Sequence, residues 1–289
     1  MPLWYVLILA VVQGLAELLP VSSSAHVVVT EKLLGLDPSS PSATLLLVML
    51  HTGTMFAVIV YFWRQWRDTY FESIATFKRF AGLVVLATAL TGLIGEVIIK
   101  IVERTFFRGV PHAEIEDLFS HLELIAPALA LVGVLILVAG ILGKRRSTER
   151  LTQANDLNAR EAGIIGAVQG LCLPFRGFSR SGATISTGML LGVAKSRAEM
   201  FSFALAVVLT PVVVVREVMR LFHAEPTSGL AVFAAGAFPS LLGAAFAFLA
   251  GLIALKWLSG WLDSGRWYLF GIYCLFAAVG VAYLHHLGY

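Results

Sequence analysis

Gln13-Gly-Leu-Ala-Glu-Leu-Leu-Pro-Val-Ser-Ser-Ser-Ala-His26 places an amide, a carboxyl group, three hydroxyls and an imidazole inside an otherwise apolar stretch of chain. Polar and ionisable groups at membrane depth are costly, so they mark functional sites by default. A second stretch answers the first: Gln169-Gly-Leu-Cys-Leu-Pro-Phe-Arg-Gly-Phe-Ser-Arg-Ser-Gly-Ala-Thr184. Both begin Gln-Gly-Leu, reach a proline, and continue into a hydroxyl cluster followed by a small residue. They read as the two halves of one polar site.

The chain around them is apolar. Its 289 residues are 58% hydrophobic and 13% charged, with a mean hydropathy of +0.84, outside the range of ordinary soluble domains on both counts. This composition defines an integral membrane protein. The segment from Leu3 to Leu19 resembles a signal peptide superficially, but it lacks a basic leading region, contains Glu17 and runs into the polar motif. It is therefore expected to be retained. Cys172 and Cys274 both sit in apolar runs and read as small buried side chains, which suggests neither a disulfide framework nor a thiolate metal site. A net charge of +3 gives no argument for nucleic acid as a partner, and the basic residues lie mostly between apolar segments, where membrane topology accounts for them.

Ten apolar segments follow one another, at about 3–19, 25–36, 42–66, 81–104, 121–143, 162–174, 181–194, 197–221, 229–257 and 266–286. A helical span needs about 20 residues. Six segments meet that length, whereas 25–36, 162–174 and 181–194 cannot cross as helices. Each short segment adjoins one of the polar motifs, and irregular backbone at membrane depth is tolerated only where protein or a water-filled cavity covers it. The expected fold is all-α and polytopic, with six transmembrane helices and two re-entrant helical hairpins, 3–36 and 162–194, carrying the motifs at their tips.

The order also repeats. A hairpin plus three spans is followed by a hairpin plus three spans, and Gln169 lies 156 positions after Gln13. Three crossings is an odd number, so the second half starts on the opposite side: an inverted-topology repeat within one membrane domain, 1–289. Repeat 1 is expected over 1–143, a solvated linker over 144–160 and repeat 2 over 161–289. Basic residues outside the hairpin tips split thirteen to six between the two faces, and the richer face is expected to be cytoplasmic. Both termini then lie outside the cytoplasm. Trp63, Trp66, Trp257, Trp261 and Trp267 fall at the cytoplasmic edge, as an interfacial aromatic belt would.

Within the motifs, Gln13 and Glu17 are four residues apart and share a helix face. A carboxylate with an amide can help to hold a hard cation such as Mg2+, or Ca2+, which makes Glu17 and Gln13 the candidate metal ligands. Glu17 can instead act as a general base, or sit as a neutral buried acid bonded to a neighbouring helix. Pro20 ends the first helix, and Ser22, Ser23 and Ser24 can cap the next, offering hydroxyls and free N–H groups to an anion. The bland reading of these serines is capping alone. His26, two or three residues on, can serve as base or nucleophile. In the second motif Ser179 and Ser181 flank Arg180, a fixed fork of donors suited to phosphate oxygens, whose structural alternative is a pairing with Glu17. Arg176 is either a second phosphate ligand or a side chain that snorkels to the interface. His51, Thr52, Thr54 and Thr210 either line the cavity or bond between helices. Glu96 and Lys100 read as an i, i+4 ion pair.

At these two motifs the chain resembles the undecaprenyl-diphosphate phosphatase family, also called bacitracin-resistance proteins. That family carries (E/Q)-G-x-x-E-F-L-P-[VI]-S-S-[ST]-[GA]-H near the N-terminus and P-G-x-S-R-S-G in the second half. The matching residues are Gln13 to His26 and Pro174 to Gly182, and the helix from Leu50 to Trp63 is similar as well. The resemblance implies hydrolysis of a C55 isoprenyl diphosphate to the monophosphate with a divalent cation, in recycling of the cell-wall lipid carrier at the inner (plasma) membrane. By motif position, Glu17 is the essential acid, Ser23 and His26 the pair at the nucleophile, and Arg180 the diphosphate clamp. Gln13, Ser22, Ser24, Ser179, Ser181, Arg176 and His51 are the expected substrate contacts. His26 is the favoured nucleophile of the two, because a neutral imidazole attacks without prior deprotonation and Glu17 is near enough in sequence to orient it. The chain departs from the pattern at Gln13, where many members have glutamate, at Ala25, a common glycine, and at Phe175-Arg176, which lengthen the turn after Pro174. The rival reading is a transporter or flippase of a phosphate-bearing lipid or anion, since broken helices in inverted repeats also build transporters. The partners expected are the lipid substrate and the bilayer, with a homodimer left open.

Overall fold

The computed structural model describes residues 2–36, 41–106, 122–147, 157–224 and 229–288. Among these residues there are ten helices and no strand: α1 (Leu3–Leu18), α2 (Ser23–Leu33), α3 (Pro41–Tyr70), α4 (Ile74–Phe106), α5 (Leu122–Ser147), α6 (Ala159–Cys172), α7 (Arg180–Leu191), α8 (Lys195–Ala224), α9 (Gly229–Asp263) and α10 (Tyr268–His286). Each of the ten apolar segments of the sequence becomes one helix. Six helices contain stretches long and apolar enough to cross a membrane: Ala43–Tyr70, Ile74–Thr105, Leu122–Gly143, Lys195–Arg216, Gly236–Asp263 and Tyr268–His286. The other four are short, from 11 to 16 residues. At 1.5 Å per residue, even a 16-residue helix reaches only about 24 Å, less than the roughly 30 Å of a hydrocarbon core.

The short helices stop for local reasons. Leu19 leaves α1 in extended backbone, the conformation forced on a residue that precedes proline. Gly192 takes the left-handed conformation after α7, with φ of 89°, and its N–H and that of Val193 satisfy the carbonyls of Met189 and Gly188. Helix α6 starts from a reciprocal cap, in which Asn158 Oδ1 accepts from the Glu161 N–H at 3.0 Å while Glu161 Oε2 accepts from the Asn158 N–H at 2.9 Å.

The chain falls into two runs of the same pattern, two short helices then three long ones. The first short helix of each run packs on the fourth helix of the other: α1 on α9, and α6 on α4. Small residues allow both approaches. A Cβ on Gly14 would stand 2.6 Å from Ala250 Cβ and 2.7 Å from the Ala247 carbonyl oxygen, and one on Gly166 would run into the backbone of Ala87. Close backbone contact at small residues is how helices associate where lipid removes the hydrophobic driving force.

Helices α3 and α9 pair along their length, as do α5 and α10. One large buried cluster runs between the short helices and these pairs, with Phe62, Trp66, Ile125, Phe203, Leu258 and Trp267 among its members.

One expectation needs correction here. Trp66 and Trp267 are not part of an interfacial belt: they are 7% and 1% exposed. Each is held by a long-range hydrogen bond, from Trp66 Nε1 to the Met200 carbonyl at 3.3 Å and from Trp267 Nε1 to Ser186 Oγ at 3.0 Å. Trp63 and Trp257 do lie exposed. Helix α5 extends to Ser147 and α6 begins at Ala159, at the two ends of the linker expected over 144–160. Residues 148–156 lie outside the described residues.

Candidate functional site

The last turn of α1 delivers Gln13 and Glu17 on one face, as their spacing requires. Beyond it Leu19, Pro20 and Val21 form the turn, and Ser22 follows with φ of 68° and ψ of 94°, the one non-glycine residue with positive φ among those described. Such backbone is strained for a residue with a Cβ and persists where its surroundings over-determine it. Here they do so through its carbonyl, which accepts both the His26 N–H at 3.3 Å and His26 Nδ1 at 2.8 Å. Ser22 therefore occupies the N-cap position of α2 without capping it by its side chain. This corrects the reading of the serines as caps in the first motif. Its hydroxyl instead lies 3.2 Å from that of Ser24. In the second motif the cap is formed, with Ser179 Oγ accepting from the Gly182 N–H at 3.2 Å.

The two motifs meet. The Gly177 N–H donates to Ser24 Oγ at 3.3 Å, and Ser181 Oγ donates to the Leu19 carbonyl at 3.3 Å. Gly177 has φ of 96°, and a Cβ there would stand 2.5 Å from the Ile125 carbonyl oxygen, so only glycine fits this turn. Ser179 and Ser181 are buried behind the contact, their hydroxyls 3.4 Å apart.

Glu17 is the hub. Its Oε2 accepts from Ser23 Oγ at 2.5 Å and from Gln13 Nε2 at 3.2 Å, and its Oε1 accepts from Arg180 Nη2 at 3.1 Å. His51 Nε2 of α3 lies 3.7 Å from Oε2, its ring oriented by Nδ1 against the Leu47 carbonyl at 2.8 Å. The side chains of Glu17 and Arg180 are 15% and 18% exposed. Four elements of the fold thus converge on one carboxylate. Arg180, which the sequence offers either as a phosphate clamp or as a partner of Glu17, forms the pairing and still has donors to spare. Its Nη1 is buried with no hydrogen-bond partner among the described residues, and a buried unpaired cationic donor is costly unless an anion takes it.

His26 is placed differently from the expectation that Glu17 orients it. Nδ1 is taken by the Ser22 carbonyl, and Nε2 lies 2.7 Å from the hydroxyl of Tyr273 on α10, with the two rings stacked at 5.7 Å. The hydroxyl bonded to Glu17 belongs to Ser23. Arg176 is half-buried in the turn before Gly177. Thr52, Thr54 and Thr210 return their hydroxyls to carbonyls of their own helices, at 2.9, 2.9 and 2.8 Å, so none of the three bridges to a neighbouring helix by these bonds. Glu96 and Lys100 form their ion pair at 3.0 Å on an exposed face.

Tyr273 was not legible in the sequence, being one tyrosine in an apolar span with no motif around it. A buried carboxylate away from the motifs, Glu199 on α8, is likewise unannounced by its neighbours Lys195 and Arg197. Glu199 accepts from Ser259 Oγ at 2.6 Å.

As oxygen donors for a cation, the site offers the Glu17 carboxylate and the Gln13 side-chain oxygen, since the Gln13 amide nitrogen is the atom turned to Glu17. Among the described residues no three His, Cys, Asp or Glu side chains converge. This donor set fits Mg2+ only as that ion is commonly held beside phosphates, by one or two protein oxygens with substrate and water supplying the rest.

A polytopic helical membrane protein with a partly buried site of one carboxylate, one guanidinium and several hydroxyls, and with a free donor for an anion, belongs to the class that handles phosphorylated lipids or anions. The chain is a member of the bacitracin resistance protein BacA family, whose family model matches residues 6–280. It is 59% identical over 278 residues to "Undecaprenyl-diphosphatase 2" of Acinetobacter baylyi, an alignment covering 95% of each chain. It is 31% identical to a protein of the same name from Burkholderia ambifaria, over 96% of this chain and 95% of the relative. It is also 32% identical to "Undecaprenyl-diphosphatase" of an Anaeromyxobacter species, over 96% of this chain and 86% of the relative.

Proposed function

We propose that this chain is an integral-membrane undecaprenyl-diphosphatase, hydrolysing the C55 isoprenyl diphosphate to its monophosphate and inorganic phosphate and so returning the cell-wall lipid carrier to use. The observation that carries the reading is the Glu17–Ser23–Arg180 constellation with Arg180 Nη1 buried and unpartnered. A nucleophile bonded to a base, beside an oriented guanidinium with a spare donor, is the equipment of phosphoryl transfer, which asks a protein mainly for positioning and charge stabilisation.

In this reading Ser23 Oγ attacks the terminal phosphorus while its proton passes to Glu17. The bond from that phosphorus to the bridging oxygen breaks, and the isoprenyl monophosphate leaves. Glu17 passes that proton to the departing monophosphate oxygen, takes one from the attacking water, and returns it to Ser23 Oγ as the phosphoserine bond breaks and phosphate is released. Arg180 binds the equatorial oxygens through the donors not given to Glu17. Gln13 and His51 hold the carboxylate, Ser24 and Arg176 line the approach of the diphosphate, and the buried Ser22, Ser179 and Ser181 brace the two turns from behind. The geometry favours Ser23 over His26 because the hydroxyl is the group on the base. A divalent cation, Mg2+ or Ca2+, would be held by Glu17 and Gln13 together with the substrate's own oxygens. When bound it neutralises diphosphate charge.

The two runs of helices are read as inverted repeats whose re-entrant hairpins, α1–α2 and α6–α7, enter the inner membrane from opposite faces. Both termini then lie outside the cytoplasm. The reciprocal packing of α1 on α9 and α6 on α4 supports this arrangement. The deciding experiment is phosphate release from isoprenyl diphosphate by the purified protein in detergent, where no vectorial transport exists. Release that depends on Glu17 supports the phosphatase. Its absence, with lipid movement in vesicles, supports a flippase.

A further inference from the structure

The described structure gives a neutral His26 one tautomer. The Ser22 carbonyl 2.8 Å from Nδ1 can only accept, so Nδ1 carries the proton and Nε2 carries the lone pair. Nε2 faces the Tyr273 hydroxyl at 2.7 Å, which must therefore donate. We propose that Tyr273 is a positioning residue of the hydrolytic site, acting through His26: it holds the ring whose Nδ1–H binds the Ser22 carbonyl, and with it the backbone that presents Ser23. The proposal rests on the phosphatase reading, which puts the first motif at the reaction centre.

The residues around Tyr273 show that α10 is built to hold the first motif. The adjacent Cys274 is buried, and its Sγ donates to the Pro20 carbonyl in the turn at 3.4 Å. At the N-terminal end of the same helix, Trp267 is bonded to Ser186 of α7. Helix α10 thus grips the turn of one motif and the helix of the other. Cys274 and Trp267 end on a backbone carbonyl and a serine hydroxyl, whereas the Tyr273 hydroxyl ends on a titratable nitrogen.

A phenol also suits both states of that nitrogen. It donates to a neutral Nε2, and its oxygen accepts when Nε2 carries a proton. The same contact therefore keeps the ring in place in either state. Phenylalanine keeps the stacking and loses both roles.

The test is Tyr273→Phe in full-length protein, purified in detergent and labelled with 15N at the histidine ring nitrogens, with His26 assigned by its disappearance in His26→Gln. In the unmutated protein, His26 should show a protonated Nδ1 and a bare Nε2. In Tyr273→Phe the Nε2 resonance should move while Nδ1 stays protonated on the Ser22 carbonyl. With isoprenyl diphosphate, kcat should fall about tenfold, the worth of one net hydrogen bond, while KM changes by less than about twofold. Ring resonances unchanged from the unmutated protein, or an unchanged kcat, would overturn the proposal. So would a His26→Gln protein as active as the original, which removes His26 from the reaction. Failure of the phosphatase reading shows separately, as no phosphate release by the unmutated protein, while the nitrogen resonances still report the Tyr273 contact.

Discussion

Replacing Arg180 by lysine keeps the charge and removes the fork, and the structure says what each part does. One nitrogen, Nη2, is spent on Glu17 at 3.1 Å, while Nη1 is buried and unpaired. A lysine ammonium reaching the same place satisfies the carboxylate or the phosphate, but presents no second donor in the plane of the first. Loss of one preorganised donor to a developing oxyanion costs about 10²- to 10³-fold in kcat, so Arg180→Lys should fall by about 10²-fold. Arg180→Ala should fall further. It also leaves the Glu17 carboxylate, 15% exposed, without its cation, and breaking a buried pair from one side costs about 3–5 kcal/mol. The alanine variant should therefore melt lower in detergent, whereas the lysine variant should melt close to the unmutated protein. The assay is initial-rate phosphate release from isoprenyl diphosphate, read beside the melting profile of each variant. An Arg180→Lys protein with unmutated kcat would refute the reasoning, because the spare donor would then have no work to do.

The identity of the nucleophile is open to chemical trapping: a phosphoenzyme caught by acid quench should be acid-stable, as a serine ester is, and absent in Ser23→Ala, whereas an acid-labile, alkali-stable adduct would point back to His26. Gly14→Ala should lower the melting temperature by an amount corresponding to about 1–3 kcal/mol of overpacking, since its Cβ would press on Ala250 and the Ala247 carbonyl. Gly82→Ala on α4, with nothing within 4 Å, should be neutral or stabilising by up to about 1 kcal/mol through helix propensity. Cysteines introduced at the N-terminus and at Leu287 should react with an impermeant thiol reagent applied outside intact cells, while one at Ser147 should not; opposite labelling of the two ends would refute the inverted repeat.

Much of the fold was legible because membrane burial is written in local composition. Lengths of apolar runs separate α2, α6 and α7 from the spans, and Pro20 marks the end of α1 within two residues. The pairing of Glu17 with Arg180 was legible as one of two readings, since two opposite charges in apolar surroundings have few other partners. What the sequence hides is contact between distant segments at residues without a pattern. Nothing local distinguishes Trp66, which bonds to Met200, from Trp63, which is exposed on the same helix. Tyr273 is invisible for the same reason. The backbone of Ser22 is a further case, because positive φ at a serine is imposed by the His26 contacts to its carbonyl and not by any residue preference. Proximity in sequence misled at His26, which is nearer to Glu17 along the chain than Arg180 is but turns its ring to α10.

The Glu17–Arg180 pair also explains why the polar motifs come in two halves. A lone carboxylate in the first motif, or a lone guanidinium in the second, would be an unpaired charge in apolar surroundings, at a cost of several kcal/mol. Brought together, each relieves the other, and the pair forms only when the turn after α1 meets the turn before α7. Hydrogen bonds between backbone and hydroxyl, from the Gly177 N–H to Ser24 Oγ and from Ser181 Oγ to the Leu19 carbonyl, fix that meeting independently of the charges. The carboxylate is then left oriented by Ser23, Gln13 and His51, and the guanidinium keeps a buried nitrogen with no acceptor among the described residues. An arriving diphosphate supplies negative oxygens to that donor and meets a hydroxyl already bonded to its base. The same pairing that makes the charges tolerable before substrate arrives therefore positions them for the reaction.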